Sequence, residues 1–197
     1  MQLSDQELVD INCHLEEKTS TEIVEWAINQ NKKTVVTTSF GYTSAVTLHL
    51  VTKVKKSVPI VWVDSGYNLE DSYVVAEKLI QSLGLNIYVY NPVMSAARRE
   101  AVHGANFGVP GNPKFEKFKN QVKLEPFQRA LKELQPEIWI SGIRREETEY
   151  RRNLGIVSMD ARGILKVSPL FNWTENDVSD YMRKYSLPSC RHYFDPT

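Results

Sequence analysis

Cysteine is nearly absent from this chain: Cys13 and Cys190 are the only two in 197 residues. Two thiols placed so far apart exclude a disulfide framework and suit a reducing compartment. They also exclude an iron–sulfur cluster that draws four thiolates from one chain. The histidines, His14, His49, His103 and His192, form no His-x-x-x-His pair, and there is no Cys-x-x-Cys, so no metal site is expected. An excess of one charge is lacking too, because acidic and basic residues both number 24. No global field therefore favours nucleic acid or a membrane surface. No apolar run reaches the length of a transmembrane span. The stretch from Met1 to Glu17 is polar and acidic, without a signal-peptide core. A cytoplasmic protein is the expectation.

What the sequence does have is a steady alternation of strand-like and helix-like segments. Residues 4–30 read as two short helices, with Thr19 or Ser20 capping the second ahead of Ile23, Val24 and Trp26. Strand 34–38, helix 43–55, strand 59–63, helix 69–83 and strand 86–90 follow. A helix over 126–134 leads to strand 138–141, then come a short strand at 164–167 and a helix at 174–185 capped by Thr174. Strands this apolar are buried on both faces, and their spacing suits βαβ crossovers. The fold class is α/β: a doubly wound, mainly parallel sheet of five to six strands with helices on both faces. Residues 1–30 are expected as a helical appendage, and 31–197 as the α/β domain. Residues 103–122, rich in Gly, Pro and Asn, are expected as a long loop covering the site.

Ligands of open parallel sheets bind beyond the carboxyl ends of the strands. Three unusual segments begin where strands end. The first, Ser39-Phe40-Gly41-Tyr42-Thr43-Ser44, is a hydroxyl-rich turn opening a helix. The first amides of a helix have no internal partner, and its dipole favours an anion there. Gly41 is expected to supply the tight turn. The second segment, Asp64-Ser65-Gly66-Tyr67, offers a carboxylate, although Asp64 fits a turn former or helix cap equally well. The third runs from Gly142 through Arg144 and Arg145 to Arg151 and Arg152, interleaved with Glu146, Glu147 and Glu149. Such a cluster is either an ion-pair-laced helix start or a guanidinium clamp for phosphate or sulfate oxygens. Its place at a strand end favours the clamp. Lys123, ahead of Glu125 and Pro126, is a further candidate cation.

These segments resemble the phosphoadenosine phosphosulfate (PAPS) reductases of the adenine nucleotide α-hydrolase, or PP-loop, superfamily. Ser39-Phe40-Gly41 and the helix after it resemble that family's modified PP-loop. Val63-Asp64-Ser65-Gly66-Tyr67 is similar to its D-[ST]-G-Y segment, Lys123-Leu124-Glu125-Pro126 to its K-x-E-P stretch, and Gly142-Ile143-Arg144-Arg145 to its G-[LI]-R-R segment with Arg151 trailing. The likeness runs from about Lys33 to Asp195, with the motifs in the family's order.

The resemblance implies reduction of PAPS to sulfite and adenosine 3′,5′-bisphosphate in sulfate assimilation, with thioredoxin or glutaredoxin as reductant and a homodimer as the common assembly. Motif matching puts Ser39, Phe40, Gly41, Ser44, Asp64, Ser65 and Gly66 on the adenosine side. Lys123, Gly142, Arg144, Arg145 and Arg151, helped by His192, would face phosphate and sulfate. Relatives that use the substrate without a 3′-phosphate carry paired cysteines upstream of the K-x-E-P stretch. Here Phe118 and Lys119 stand in that place, which matches the PAPS type and no cluster.

The family's nucleophile lies in a C-terminal Glu-Cys-Gly-Leu-His motif that Met1–Thr197 does not contain. Three readings follow: a chain that is the ordered part of a longer protein, which is the expectation; a nucleotide binder without redox chemistry; or Cys190 acting as nucleophile. A PP-loop ATP pyrophosphatase is the alternative enzyme, weakened by Ser39-Phe40-Gly41 where that class has Ser-Gly-Gly.

Overall fold

The computed structural model describes residues 3–190. Its centre is a six-stranded sheet of β1 (Thr34–Thr38), β2 (Ile60–Val63), β3 (Ile87–Tyr90), β4 (Ile138–Ile140), β5 (Val157–Met159) and β6 (Leu165–Val167). The strand order is β3-β2-β1-β4-β6-β5. All pairs are parallel except β5 with β6. Strand order reverses at β1. The chain runs from β1 out through β2 to β3, then returns to β4 on the other side. A crevice therefore opens between the carboxyl ends of β1 and β4.

The two-residue period of these strands separates two apolar layers. Val36, Ile60, Ile138, Ile140, Leu165 and Val167 face one side. There they meet α2 (Ser20–Asn29), α3 (Ser44–Val54), α4 (Glu70–Leu83) and α9 (Glu175–Lys184). Val35 and Val61 face the other, against Tyr90, Ala130, Leu134 and Trp139, under α7 (Glu125–Leu134). Burying one such side chain is worth about 1.5–3 kcal/mol, so register follows from pattern. The two N-terminal helices contribute to the first layer. Leu15 of α1 (Asp5–Glu16) and Ile23, Val24 and Ala27 of α2 lie in the same cluster as the strand residues. Both helices begin with reciprocal capping boxes, Ser4 with Glu7 and Thr19 with Glu22.

Residues 103–122 are not one long loop. After α5 (Ala96–His103), capped by Ser95, loop residues 104–112 lead into α6 (Pro113–Lys119) and a π-turn, Asn120–Leu124. Asn112 caps α6, Pro113 sits in its first turn, and Phe115 and Phe118 bury one face. That pattern lies immediately behind the Gly- and Pro-rich stretch that masks it. The three-residue edge strand β5 and helix α5 were likewise not foreseen. Among the described residues, no helix is long and apolar enough to cross a membrane.

Candidate active site

The first turn of the crevice is shaped by Phe40, which adopts a left-handed conformation (φ 51°). The expected source of the turn was Gly41. A non-glycine residue there costs on the order of 1–3 kcal/mol, offset by burial of the ring edge-on to Trp62 at 4.9 Å. Phe40 thus belongs to the core, 1% exposed. Its amide is held by Thr38 Oγ1 at 3.0 Å. The chain then enters α3, whose N-cap Thr43 makes no side-chain cap bond. By contrast, the side chains of Ser4, Thr19, Ser95, Asn112 and Thr174 cap their helices. At α3 the positive end of the helix is left facing the crevice.

Gly66 turns the second segment with φ 79°, and a Cβ there would lie 3.3 Å from Ala96 Cβ. Asp64 holds this turn. Its Oδ1 accepts from Gly66 N (3.0 Å), Asn68 Nδ2 (2.9 Å) and the Tyr73 hydroxyl (2.8 Å). Of the two roles open to Asp64, this geometry is that of a turn former presenting Ser65 and Asn68.

The cavity formed here, open on one side, has a volume of about 410 Å³. Of the residues anticipated from sequence, Ser39, Ser44, Ser65, Lys123, Gly142 and Arg151 line it. Gly142 is required by close approach, since a Cβ on it would stand 2.7 Å from Thr47 Oγ1. Thr47 and Ser141 also line the cavity, and their hydroxyls are buried without a hydrogen-bond partner among the described residues. Val61, Val63, Leu124, Phe127 and Trp139 supply an apolar wall. Thr37 fixes one part of that wall by accepting from Trp139 Nε1 at 2.7 Å. Thr47, Phe127 and Trp139 were missed in the sequence. The signal for Thr47 was its helical spacing from Thr43 and Ser44, which puts the three hydroxyls on one face.

The arginine cluster divides. Arg151, in the short helix α8 (Glu149–Arg152), lines the cavity, ion-paired with Glu147, which also lines it. The Arg144 side chain is only 7% exposed and turns away among Glu146, Glu147 and Glu175, donating to Glu175 Oε2 at 2.8 Å. It ties the Gly142 turn to the start of α9. Arg145 stacks over Phe171, 5.1 Å from the ring centroid, and its amide donates to Phe171 O. Arg144 and Arg145 are thus taken up by ion pairing and packing, whereas Arg151 is the arginine of the cluster that lines the cavity. Cys190 is 3% exposed, with Sγ 3.4 Å from Ser72 Oγ and 3.5 Å from Asp71 Oδ2 at the start of α4. His192 lies outside the described residues.

A crevice at the switch point of a parallel sheet, with an uncapped helix start and cations at its rim, defines an α/β protein of the adenine nucleotide α-hydrolase-like fold. The same fold is seen at 12% identity in FMN adenylyltransferase from Candida glabrata, with a TM-score of 0.62 over 96% of this chain and 62% of that one. Residues 33–195 match the phosphoadenosine phosphosulfate reductase domain. The chain belongs to that family. It is 36% identical to a phosphoadenosine 5′-phosphosulfate reductase of Synechococcus over 92% of this chain and 78% of that protein. It is 38% identical to the enzyme of Photobacterium profundum over 92% of this chain and 72% of that one. The crystal structure of a PAPS reductase from Candida auris, a phosphate complex, superposes with a TM-score of 0.85 at 26% identity, covering 96% of this chain and 91% of that chain.

Proposed function

We propose that this protein reduces PAPS to sulfite and adenosine 3′,5′-bisphosphate. One observation carries the reading: in a PAPS reductase family chain, the uncapped start of α3, Lys123 and Arg151 converge on one hydroxyl-lined crevice. The nucleoside lies against the apolar wall, and the phosphosulfate meets α3 and the two cations. A cysteine thiolate of the enzyme attacks the sulfur. The bond from sulfur to the bridging phosphate oxygen breaks, and its electron pair leaves with adenosine 3′,5′-bisphosphate. Charge grows on that phosphate as the bond breaks, where preorganised amide and cationic donors stabilise it most. The enzyme is left as S-sulfocysteine. A dithiol protein of the thioredoxin or glutaredoxin kind then attacks the cysteine sulfur, expels sulfite, and resolves the mixed disulfide with its second thiol.

Cys190 is not that nucleophile in this reading, because its sulfur packs against α4 instead of lining the cavity. The working compartment is the reducing cytoplasm, the assembly a homodimer, and residues 1–30 act as one unit with 31–197. The test is PAPS-dependent sulfite release with reduced thioredoxin, using the complete gene product. Sulfite release that persists in Cys190→Ser is expected. No sulfite from wild-type protein proven to bind adenosine 3′,5′-bisphosphate would overturn the redox reading.

A further inference from the structure

The substrate reading above, on which this inference rests, demands more positive charge than the crevice rim holds. Lys123, Arg151 and the α3 start serve the phosphosulfate. A ribose 3′-phosphate is a second, separate dianion. Most other cations near the crevice are committed elsewhere. Arg144 is enclosed by three carboxylates, Arg145 lies on Phe171, and Arg129 is held by Glu125 and the Asn91 carbonyl.

Two further cations, Lys166 and an Arg162 that is ion-paired with Asp160, stand on the aromatic wall. Trp139 and Phe127 line the cavity with ring centroids 5.0 Å apart. Lys166 is the direct register partner of Trp139 across β4 and β6, so both side chains leave the same face of the sheet. Its Nζ lies 5.0 Å from the Trp139 ring centroid. Arg162 Cζ lies 5.6 Å from that of Phe127. Asp160 engages Arg162 Nε at 2.7 Å and accepts from the amides of Arg162 and Ile164.

We propose that Lys166 and Arg162 form a subsite for the ribose 3′-phosphate, beside the Trp139–Phe127 wall, and so set the preference for a 3′-phosphorylated adenylate. The electrostatics agree. Burial lowers the proton affinity of Lys166, and Arg151 and Arg162 act in the same direction against the opposing pull of Asp160. A half-buried ammonium repelled by two guanidinium groups gains when a dianion arrives between them. The nucleoside face on Trp139 would bring its 3′ position toward these side chains.

The experiment measures binding of adenosine 3′,5′-bisphosphate and of AMP, by titration calorimetry, to wild type, Lys166→Met and Arg162→Gln. Wild type should prefer the bisphosphate. Each variant should weaken the bisphosphate by about tenfold, as for loss of a charge-assisted contact, with AMP affinity unchanged. Equal losses for both ligands would make Lys166 a mere packing partner of Trp139 and overturn the proposal. So would variants that keep the wild-type preference. A wild-type protein that binds neither ligand, or favours AMP, overturns the substrate reading itself, and the subsite with it.

Discussion

Gly142→Ala tests the geometry of the crevice directly. An ideal Cβ at this position lies 2.7 Å from Thr47 Oγ1 and 3.7 Å from Thr47 Cβ, against the 3.4 Å at which ordinary contact begins. Thr47 sits on the buried face of α3 and is β-branched, so few rotamers are open to it. Relief must come from displacing α3 or the end of β4, and overpacking of this kind costs about 1–3 kcal/mol. For a chain of this size that corresponds to a fall in Tm of about 2–12 °C. The displacement falls where the α3 amides face the cavity. Adenosine 3′,5′-bisphosphate should therefore bind about tenfold more weakly or worse, since errors below 1 Å in such sites carry large penalties. Calorimetry on the folded variant and thermal unfolding read the two effects. The contact is to the hydroxyl, so Thr47→Ala added to Gly142→Ala should restore both values, whereas the isosteric Thr47→Val should not. Unchanged Tm and affinity in Gly142→Ala, or rescue by valine as complete as by alanine, would refute the reasoning.

Three further outcomes follow from the same contacts. Arg144→Met leaves Glu146, Glu147 and Glu175 without their shared cation. Because Glu175 and Glu146 are substantially exposed and rehydrate, the loss should be about 1–3 kcal/mol, below that for a fully buried pair; the urea midpoint should fall with no change in slope, and bisphosphate binding by the folded fraction should persist. Glu147→Gln removes the carboxylate that Arg151 engages inside the cavity, so affinity for the bisphosphate should rise by up to about fivefold at low salt, as read by calorimetry. The Tyr90 hydroxyl donates to Glu133 Oε2 at 2.9 Å, and burial, reinforced by that carboxylate, pushes its pKa up to about 12. An unfolded tyrosine titrates near 10, so the stabilisation is complete below about pH 10 and is lost as pH rises through about 12; Tyr90→Phe should abolish this part of the alkaline loss in chemical denaturation across that window.

The β-branched runs gave away the strands because a parallel sheet buries both faces, and their ends gave away the rim. Ser39, Ser65 and Gly142 meet there for one reason: parallel neighbours all end on the same side. Sheet order was needed only to learn that β1 and β4 flank the crevice. Local chemistry failed where a stronger local signal stood next to it. The Gly-Pro-Asn run before Asn112 hid the cap and paired phenylalanines of α6. Gly41 drew the expectation of a tight turn, yet it is Phe40 that adopts the left-handed conformation, its ring held by Trp62 from the neighbouring strand.

The arginines show a different limit. Arg144 and Arg151 belong to one short segment and carry the same charge, yet only Arg151 lines the cavity. What separates them is Glu175, brought to Arg144 by the packing of α9. In the same way, Lys166 becomes a neighbour of Trp139 only because β6 pairs with β4. Backbone features of the site, a turn and an uncapped helix start, are encoded within a few residues and so can be read along the chain. The sharing of charge among side chains is decided by partners distant in sequence. A motif therefore identifies the turn that shapes the crevice more securely than it identifies which of the nearby arginines lines it.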